Sequence, residues 1–369
     1  MKHRLLIPAI VLAACLQLVA QDAASQESPA SDAPPPESRL TFRYSFAAID
    51  DATFYSNLQV PIPKLLNQVL LEPSFTLRYK LRWSFSSSAV GLAATSGSTH
   101  AQLHIKETYA GLSAGDFDFM LGRRIVRWGA GYAFTAAGVL DPPRIPTNPT
   151  DRLNLNEGRD MVKADYVHGP HAFTLAWSTA ALAPASANLH DTTAFRYNVL
   201  VHGFDTALIA GDDRGGDAFG GLTFTRVLGQ AWELHGEAVW REHEAMLLGC
   251  KYTTHSGVTF IGEFYAPPNI PYYRNMTISP VAGRQHYLFL DAAKSRLRER
   301  PGWKEWDLGA YMVANLNDRS YTAMFDVNRR FGKRFSAYLH AEVPAGKSTS
   351  EYGATPYSTA TSAGVRFQL

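Results

Sequence analysis

The sequence predicts an all-β chain, a transmembrane antiparallel β-barrel of up-and-down topology with sixteen to eighteen strands, eighteen being the best count. Three observations predict it. Segments of strict apolar–polar alternation recur along the chain. An export leader precedes them. The alternation runs to the last residue. The clearest segment is 75–85, FTLRYKLRWSF. Phe75, Leu77, Tyr79, Leu81, Trp83 and Phe85 alternate there with Thr76, Arg78, Lys80, Arg82 and Ser84. One face is greasy and the other basic, the pattern of a strand between lipid and a wet interior.

Residues 1–20 read as a secretory signal: Lys2, His3 and Arg4, then an apolar run from Leu5 to Ala20 broken by Pro8 and Gln17. The run is too short and interrupted to span as a helix. Cleavage after Ala20 is one reading. The other is Leu12-Ala13-Ala14-Cys15, which resembles a bacterial lipobox and would lipidate Cys15. Residues 21–38, rich in Ala, Ser and Pro, are expected to be a disordered linker, with the barrel filling 39–369.

The chain has 35 Lys and Arg against 33 Asp and Glu. Lys2 and Arg4 leave with the signal, so the mature chain is balanced, which argues against nucleic-acid binding. With Cys15 gone only Cys250 remains, and no intrachain disulfide can form. No window after residue 21 holds eighteen or more apolar residues, so any membrane crossing is by strands.

The expected strands are 39–48, 74–85, 88–95, 102–113, 116–125, 160–169, 171–181, 192–201, 203–210, 216–228, 230–242, 245–254, 257–266, 284–292, 304–315, 320–330, 333–344 and 359–369. In 230–242, Trp232, Leu234, Ala238 and Trp240 alternate with Glu233, His235, Glu237 and Arg241. In 320–330, Tyr321, Ala323, Phe325 and Val327 alternate with Thr322, Met324, Asp326 and Asn328. In 333–344, Phe335, Ala337, Leu339, Ala341 and Val343 alternate with Ser336, Tyr338, His340 and Glu342. Short turns such as Gly169-Pro170, His202 and Gly229 fall on one side of this division, and 49–73, 126–159, 182–191, 267–283 and 345–358 on the other. Outer-membrane barrels show that asymmetry. The soluble alternative, a large β-sandwich, would bury the greasy faces against each other.

The last residues, Ala363-Gly364-Val365-Arg366-Phe367-Gln368-Leu369, carry apolar side chains at alternate positions. This resembles the C-terminal signal of Gram-negative outer-membrane proteins, with Leu369 where a Phe is usual. The resemblance implies recognition by the barrel-assembly machinery. A second block reads Glu107-Thr108-Tyr109, Leu112, Asp116, then Leu121-Gly122-Arg123-Arg124-Ile125-Val126-Arg127-Trp128-Gly129. It resembles a hairpin of outer-membrane porin and export families, alginate-export-like and related porins among them, with Arg124 in place of a Gln. It covers about 25 residues and implies a channel without naming a solute.

The functional residues expected from this reading line the pore: Arg43, Arg78, Lys80, Arg82, Arg124, Glu233, His235, Glu237, Arg241, Asp326, Glu342 and Arg366. Arg78, Lys80 and Arg82 would form a ladder along one strand face, because basic groups facing lipid at mid-depth cost about 2–4 kcal/mol each. Glu233, Glu237, Glu263, Asp326 and Glu342 would answer that charge, or the ladder would pass anionic solutes. The long loop 126–159 carries Arg127, Asp141, Arg144, Asp151, Arg152, Glu157 and Arg159 among four prolines and reads as a constriction inside the lumen. Its alternative is a surface cap with internal ion pairs.

Other motifs weigh less. Gly111-Leu112-Ser113-Ala114-Gly115 matches a nucleophile elbow, but an alternating strand follows where a helix is needed. His168, His171 and Glu242-His243-Glu244 lack metal-ligand spacing. The expectation is therefore a passive outer-membrane channel or export pore for small solutes, anions among them, reached after Sec export. It is not an enzyme and has no cofactor or metal. Its partners are membrane lipid, lipopolysaccharide, the assembly machinery and the solute. The lipid-facing residues single out no subunit interface. A barrel enzyme of lipid-hydrolase or protease type, or a plugged barrel acting in surface binding or assembly, are the alternatives.

Overall fold

The computed structural model describes residues 40–60, 64–80, 82–95, 99–142, 144, 146–147, 155–181, 191–213, 218–241, 244–267, 285–297 and 302–369. The expected signal peptide, Cys15 and the linker lie outside them, as do Asp151 and Arg152 of the loop.

Eighteen strands follow one another: β1 (Thr41–Ser56), β2 (Leu65–Tyr79), β3 (Trp83–Thr95), β4 (Thr99–Ala114), β5 (Phe117–Arg124), β6 (Arg159–His168), β7 (His171–Thr179), β8 (Thr192–Val201) and β9 (Phe204–Asp213) in the first half. The second half holds β10 (Ala218–Leu228), β11 (Trp232–Trp240), β12 (Ala245–Thr253), β13 (Val258–Ala266), β14 (Tyr287–Lys294), β15 (Trp306–Asn315), β16 (Ser320–Phe331), β17 (Phe335–Ala345) and β18 (Thr359–Gln368). Each pairs antiparallel with its sequence neighbour, and β18 pairs with β1 from Ala47↔Gln368 to Ser56↔Thr359. The sheet is closed, so no strand edge is left to seek a partner.

Alternation sets the two surfaces. Along β7, Phe173, Leu175 and Trp177 are exposed while Ala176 and Ser178 on the opposite face are buried. Leu121 is 63 % and Leu175 55 % exposed, whereas His235, Glu237 and Glu263 are 0 %, 3 % and 1 % exposed. A water-soluble fold would reverse that order. Large apolar groups look outward and polar groups look into the lumen, the arrangement a bilayer demands of a barrel. Aromatics crowd the short-turn end: Phe42, Tyr79, Trp83, Phe117, Phe173, Trp232, Phe331 and Phe335 all stand exposed there. Such girdles mark the lipid–water boundary.

The strand count matches the sequence reading, but residues 49–95 are divided differently. The expected loop 49–73 is mostly strand, since β1 runs on to Ser56 and β2 starts at Leu65. The expected turn at Ser86-Ser87 lies within β3, and the true turn is 80–82. The physical reason is parity. Tyr79 and Trp83 are paired residues and share the outer face. A turn of three residues between them keeps the outward positions on odd numbers, so the alternation runs through the hairpin without a break. Lys80 adopts a positive φ of 51° to make that turn, and Arg82 N–H donates to Tyr79 C=O at 3.2 Å.

Candidate pore constriction

Residues 125–142 of the segment between β5 and β6 lie against inward-facing side chains of the wall. The segment's origin lies in the β4–β5 hairpin. Gly122 has a φ of 126°, which L side chains rarely adopt, and a Cβ there would strike the Thr108 carbonyl. β5 ends two residues later, at Arg124. Glu107 of β4 then accepts the N–H of Ile125 at 3.0 Å and leads the chain off the wall. At the loop's other end the Arg123 guanidinium holds Asp160 at 2.7 Å and Glu157 at 2.8 Å, and His104 also meets Glu157 at 2.8 Å.

Between these anchors the chain crosses into the barrel and is bound by two carboxylates of the opposite wall. Glu237 on β11 accepts the N–H of Gly131 at 2.7 Å and those of Ala136 and Ala137 at 2.6 Å each, with the Thr135 hydroxyl at 3.2 Å. Glu263 on β13 accepts the N–H of Tyr132, that of Ala133 at 2.9 Å and that of Phe134 at 3.3 Å. His235 packs beside it with Nε2 at 2.9 Å from Glu263. The irregular backbone of 131–137 thus finds its acceptors in two side chains. Charge-assisted bonds of this kind are the strong ones. The Tyr132 hydroxyl donates to Glu233 at 2.8 Å and accepts from Lys251 at 3.1 Å.

Apolar packing completes the anchor. Val126, Trp128, Ala137, Val139 and Leu140 bury against Met120, Met161, Ile209, Phe219 and Val239 of the wall. Ala133 and Phe134 bury against Leu247, Tyr265, Tyr287 and Phe289, and Phe134 stacks on Tyr265 at 4.8 Å between centroids. A Cβ on Gly131 would strike the Phe134 carbonyl, so the turn of the strap at this point requires glycine. Asp141 closes the turn within the loop by accepting Trp128 N–H at 2.6 Å and Gly129 N–H at 3.3 Å. Arg144 donates to the carbonyls of Tyr132 at 3.2 Å and Gly129 at 3.1 Å. Burial pushes Asp141 up to about 6 from 3.8, against the pull of those N–H groups and of Arg144. Burial also raises the Tyr132 phenol, the Lys251 contact opposing it.

The expected pore residues distribute as follows. Glu233, His235 and Glu237 face the loop. Arg241 pairs with Asp213 at 3.0 Å and lies 4.7 Å over the Phe219 ring. Arg124 ends β5 with its guanidinium 4.7 Å over Tyr109. Asp326 accepts from Tyr311 at 2.6 Å and meets His340 at 2.8 Å. Glu342 accepts from Thr322 at 3.2 Å and Tyr357 at 3.3 Å. Arg43, Arg78 and Arg366 occupy inward positions near the short-turn end and are exposed. Arg127 is exposed in the loop, and Arg159 opens β6 with Nη1 3.3 Å from the Thr192 hydroxyl.

Two expectations are corrected here. Lys80 and Arg82 sit in the turn and Arg78 at the end of β2, so the three make no ladder up one strand. Glu237 and Glu263 answer loop backbone, not that basic trio. Sequence reasoning also passed over Arg196 on β8. Its guanidinium stands 6.0 Å from the Trp128 ring, and its Nε is buried without a hydrogen-bond partner. Its place in TTAFRYNVLV, between Phe195 and Tyr197, was the available signal.

No protein-family model matches the chain, and no curated protein does. Solved structures do. Pseudomonas aeruginosa OccK11 (OpdR) superposes with a TM-score of 0.61 at 10% identity, over 89% of this chain and 96% of that one. Pseudomonas aeruginosa OpdK, solved with vanillate, gives 0.59 at 8% identity over 89% and 98%. A Rhodopseudomonas blastica porin variant gives 0.50 at 10% identity over 89% and 100%. At these identities the likeness is one of fold. It is to porin-type barrels, and it does not single out the alginate-export branch.

Proposed function

We propose that the protein is an outer-membrane channel for passive diffusion of small solutes, with anions favoured. One observation carries this reading: the strap 128–141, bound by Glu237 and Glu263 across the lumen, narrows the interior of the closed barrel. A narrowed, wet lumen selects by size and by the charge of the groups that line it. Arg196 beside Trp128 has no acidic partner within ion-pair distance among the described residues, and Arg124 lies against Tyr109. A guanidinium beside an aromatic face suits a small carboxylate carried on an apolar or aromatic body. That OpdK was solved with vanillate, an aromatic carboxylate, is in keeping with this reading.

Transport, and not catalysis, is the activity we assign. Planar-bilayer recordings of the purified protein test it directly. The expected result is stepwise conductance with a reversal potential on the anion side in a salt gradient. An inserted, folded barrel without conductance would instead favour a plugged barrel, and hydrolysis of lipid or peptide substrates would favour an enzyme.

A further inference from the structure

The outer surface of β13 to β16 holds an apolar groove that ends at two cations. In one register row Phe260, Ala292, Ala310 and Phe325 stand side by side on the four strands. Phe260 and Phe325 are exposed on the outside, and paired residues share a face, so the two alanines leave a gap between the rings. Gly262 and Ala323 extend this gap toward the long-loop end, and the groove measures about 550 Å³. A smaller one of about 320 Å³ shares Ala292, Ala310 and Phe325 with it and continues to Lys294 at the short-turn end of β14.

Lys294 pairs with Val258 and with the exposed Leu308, so the lysine occupies an outward position. Arg329 stands one row nearer the rim on β16. It pairs with Trp306 and Ala337, and Ala337 pairs with the exposed Val365, which sets Arg329 outward too. Its guanidinium lies 5.1 Å from the Trp306 ring centroid and 4.8 Å from that of Phe331. Those contacts hold it among the aromatics of that end. Among the described residues neither cation is paired with a carboxylate. Asp291, Asp307 and Asp326 of the same strands occupy inward positions.

We propose that this groove binds one anionic phospholipid of the periplasmic leaflet. An acyl chain lies over Ala292 and Ala310 between the two phenylalanines, and Lys294 and Arg329 hold the phosphate. Charge complementarity names the occupant, and position names the leaflet, since the short turns of outer-membrane barrels face the periplasm. From Lys294 to Leu290 the strand rises about 13 Å, roughly half of an apolar band about 25 Å tall, which is the depth of one leaflet. The two cations are two strands and one row apart, roughly 12 Å between Cα atoms, a span that two long side chains close on one phosphate. A zwitterionic lipid fills the groove but brings an ammonium to the pair. A second copy of the chain docked through this face would set the same cations against each other.

The test is lipid retention by the purified barrel, read by native mass spectrometry after exposure to equal amounts of phosphatidylglycerol and phosphatidylcholine with the same acyl chains. The unaltered protein is expected to keep one phosphatidylglycerol, with at least a tenfold preference. Lys294→Gln combined with Arg329→Gln is expected to remove the preference. Ala292→Leu combined with Ala310→Leu fills the groove and is expected to lower retention of both lipids at least tenfold, with the cations still in place. Unheated electrophoresis confirms that each barrel is folded. Four results overturn the proposal: equal retention of the two lipids, a preference that survives loss of both cations, retention that survives the filled groove, or displacement of phosphatidylglycerol from this site by lipopolysaccharide at equal concentration. None of them bears on whether the barrel conducts.

Discussion

At the residue scale the two lumenal glutamates decide most. Each gives both carboxylate oxygens to loop N–H groups, Glu237 through Gly131 on one oxygen and Ala136 and Ala137 on the other. Glutamine has the same shape but only one acceptor oxygen, so its NH2 must face an N–H in either orientation. Glu237→Gln is therefore expected to cost about 2 kcal/mol, the scale of a hydrogen bond to a charged group, and to raise open-channel noise. Urea titration and single-channel recording read the two effects. Asp141 gives a pH dependence. Its folded pKa of about 6 lies above the ordinary 3.8, so the folded state holds the proton more tightly. Stability from this group is full below pH about 4 and falls as pH rises to about 6. Asp141→Asn should flatten the slope of the unfolding midpoint across that window. An unchanged slope would assign it to other groups.

At the element scale the inserted strap and the tight turns separate cleanly. The strap is a segment without regular structure that owes its position to side chains of distant strands, above all β11 and β13. Removing 130–140 and joining the ends with a short Gly-Ser link should leave the barrel folded and raise conductance several-fold, as read in planar bilayers. Equal conductance would mean that the strap does not limit the pore. The β2–β3 hairpin teaches the opposite lesson. Its alternation was legible in FTLRYKLRWSF, yet the turn within it was not, because Tyr79 and Trp83 pair across three residues and preserve the period. The strongest pattern in the chain therefore hid a change of direction.

At the scale of the whole molecule, closure of β18 on β1 makes one polar interior out of residues far apart in sequence. Position in that interior separates two sets of basic groups. Arg78, Lys80 and Arg82 stand exposed at the short-turn end, while Arg196 stands beside the strap. Replacing the first three together by Gln should shift the reversal potential little. Arg196→Gln should lower the anion preference markedly. A shift in the first variant equal to that in the second would return the filter to the turn.

The sequence by itself determined the class of fold, bounded the strands at sixteen to eighteen and showed which side of the clearest ones carries the greasy residues. Those follow from a period of two and from the cost of a polar backbone in lipid, and both are local or nearly so. Glu237 and His235 were legible as inward for the same reason. What they touch was not, because a carboxylate on β11 and an N–H at residue 131 are neighbours only once the sheet has closed. Asp50 makes the same point from outside. Its face is fixed by its pairing with Val69 and Val365, and no run of neighbouring residues announces it. Only the tertiary structure decided where the strap lies, which side chains of the wall it meets and which part of the outer wall is polar, since each depends on distances between elements that the chain order does not encode.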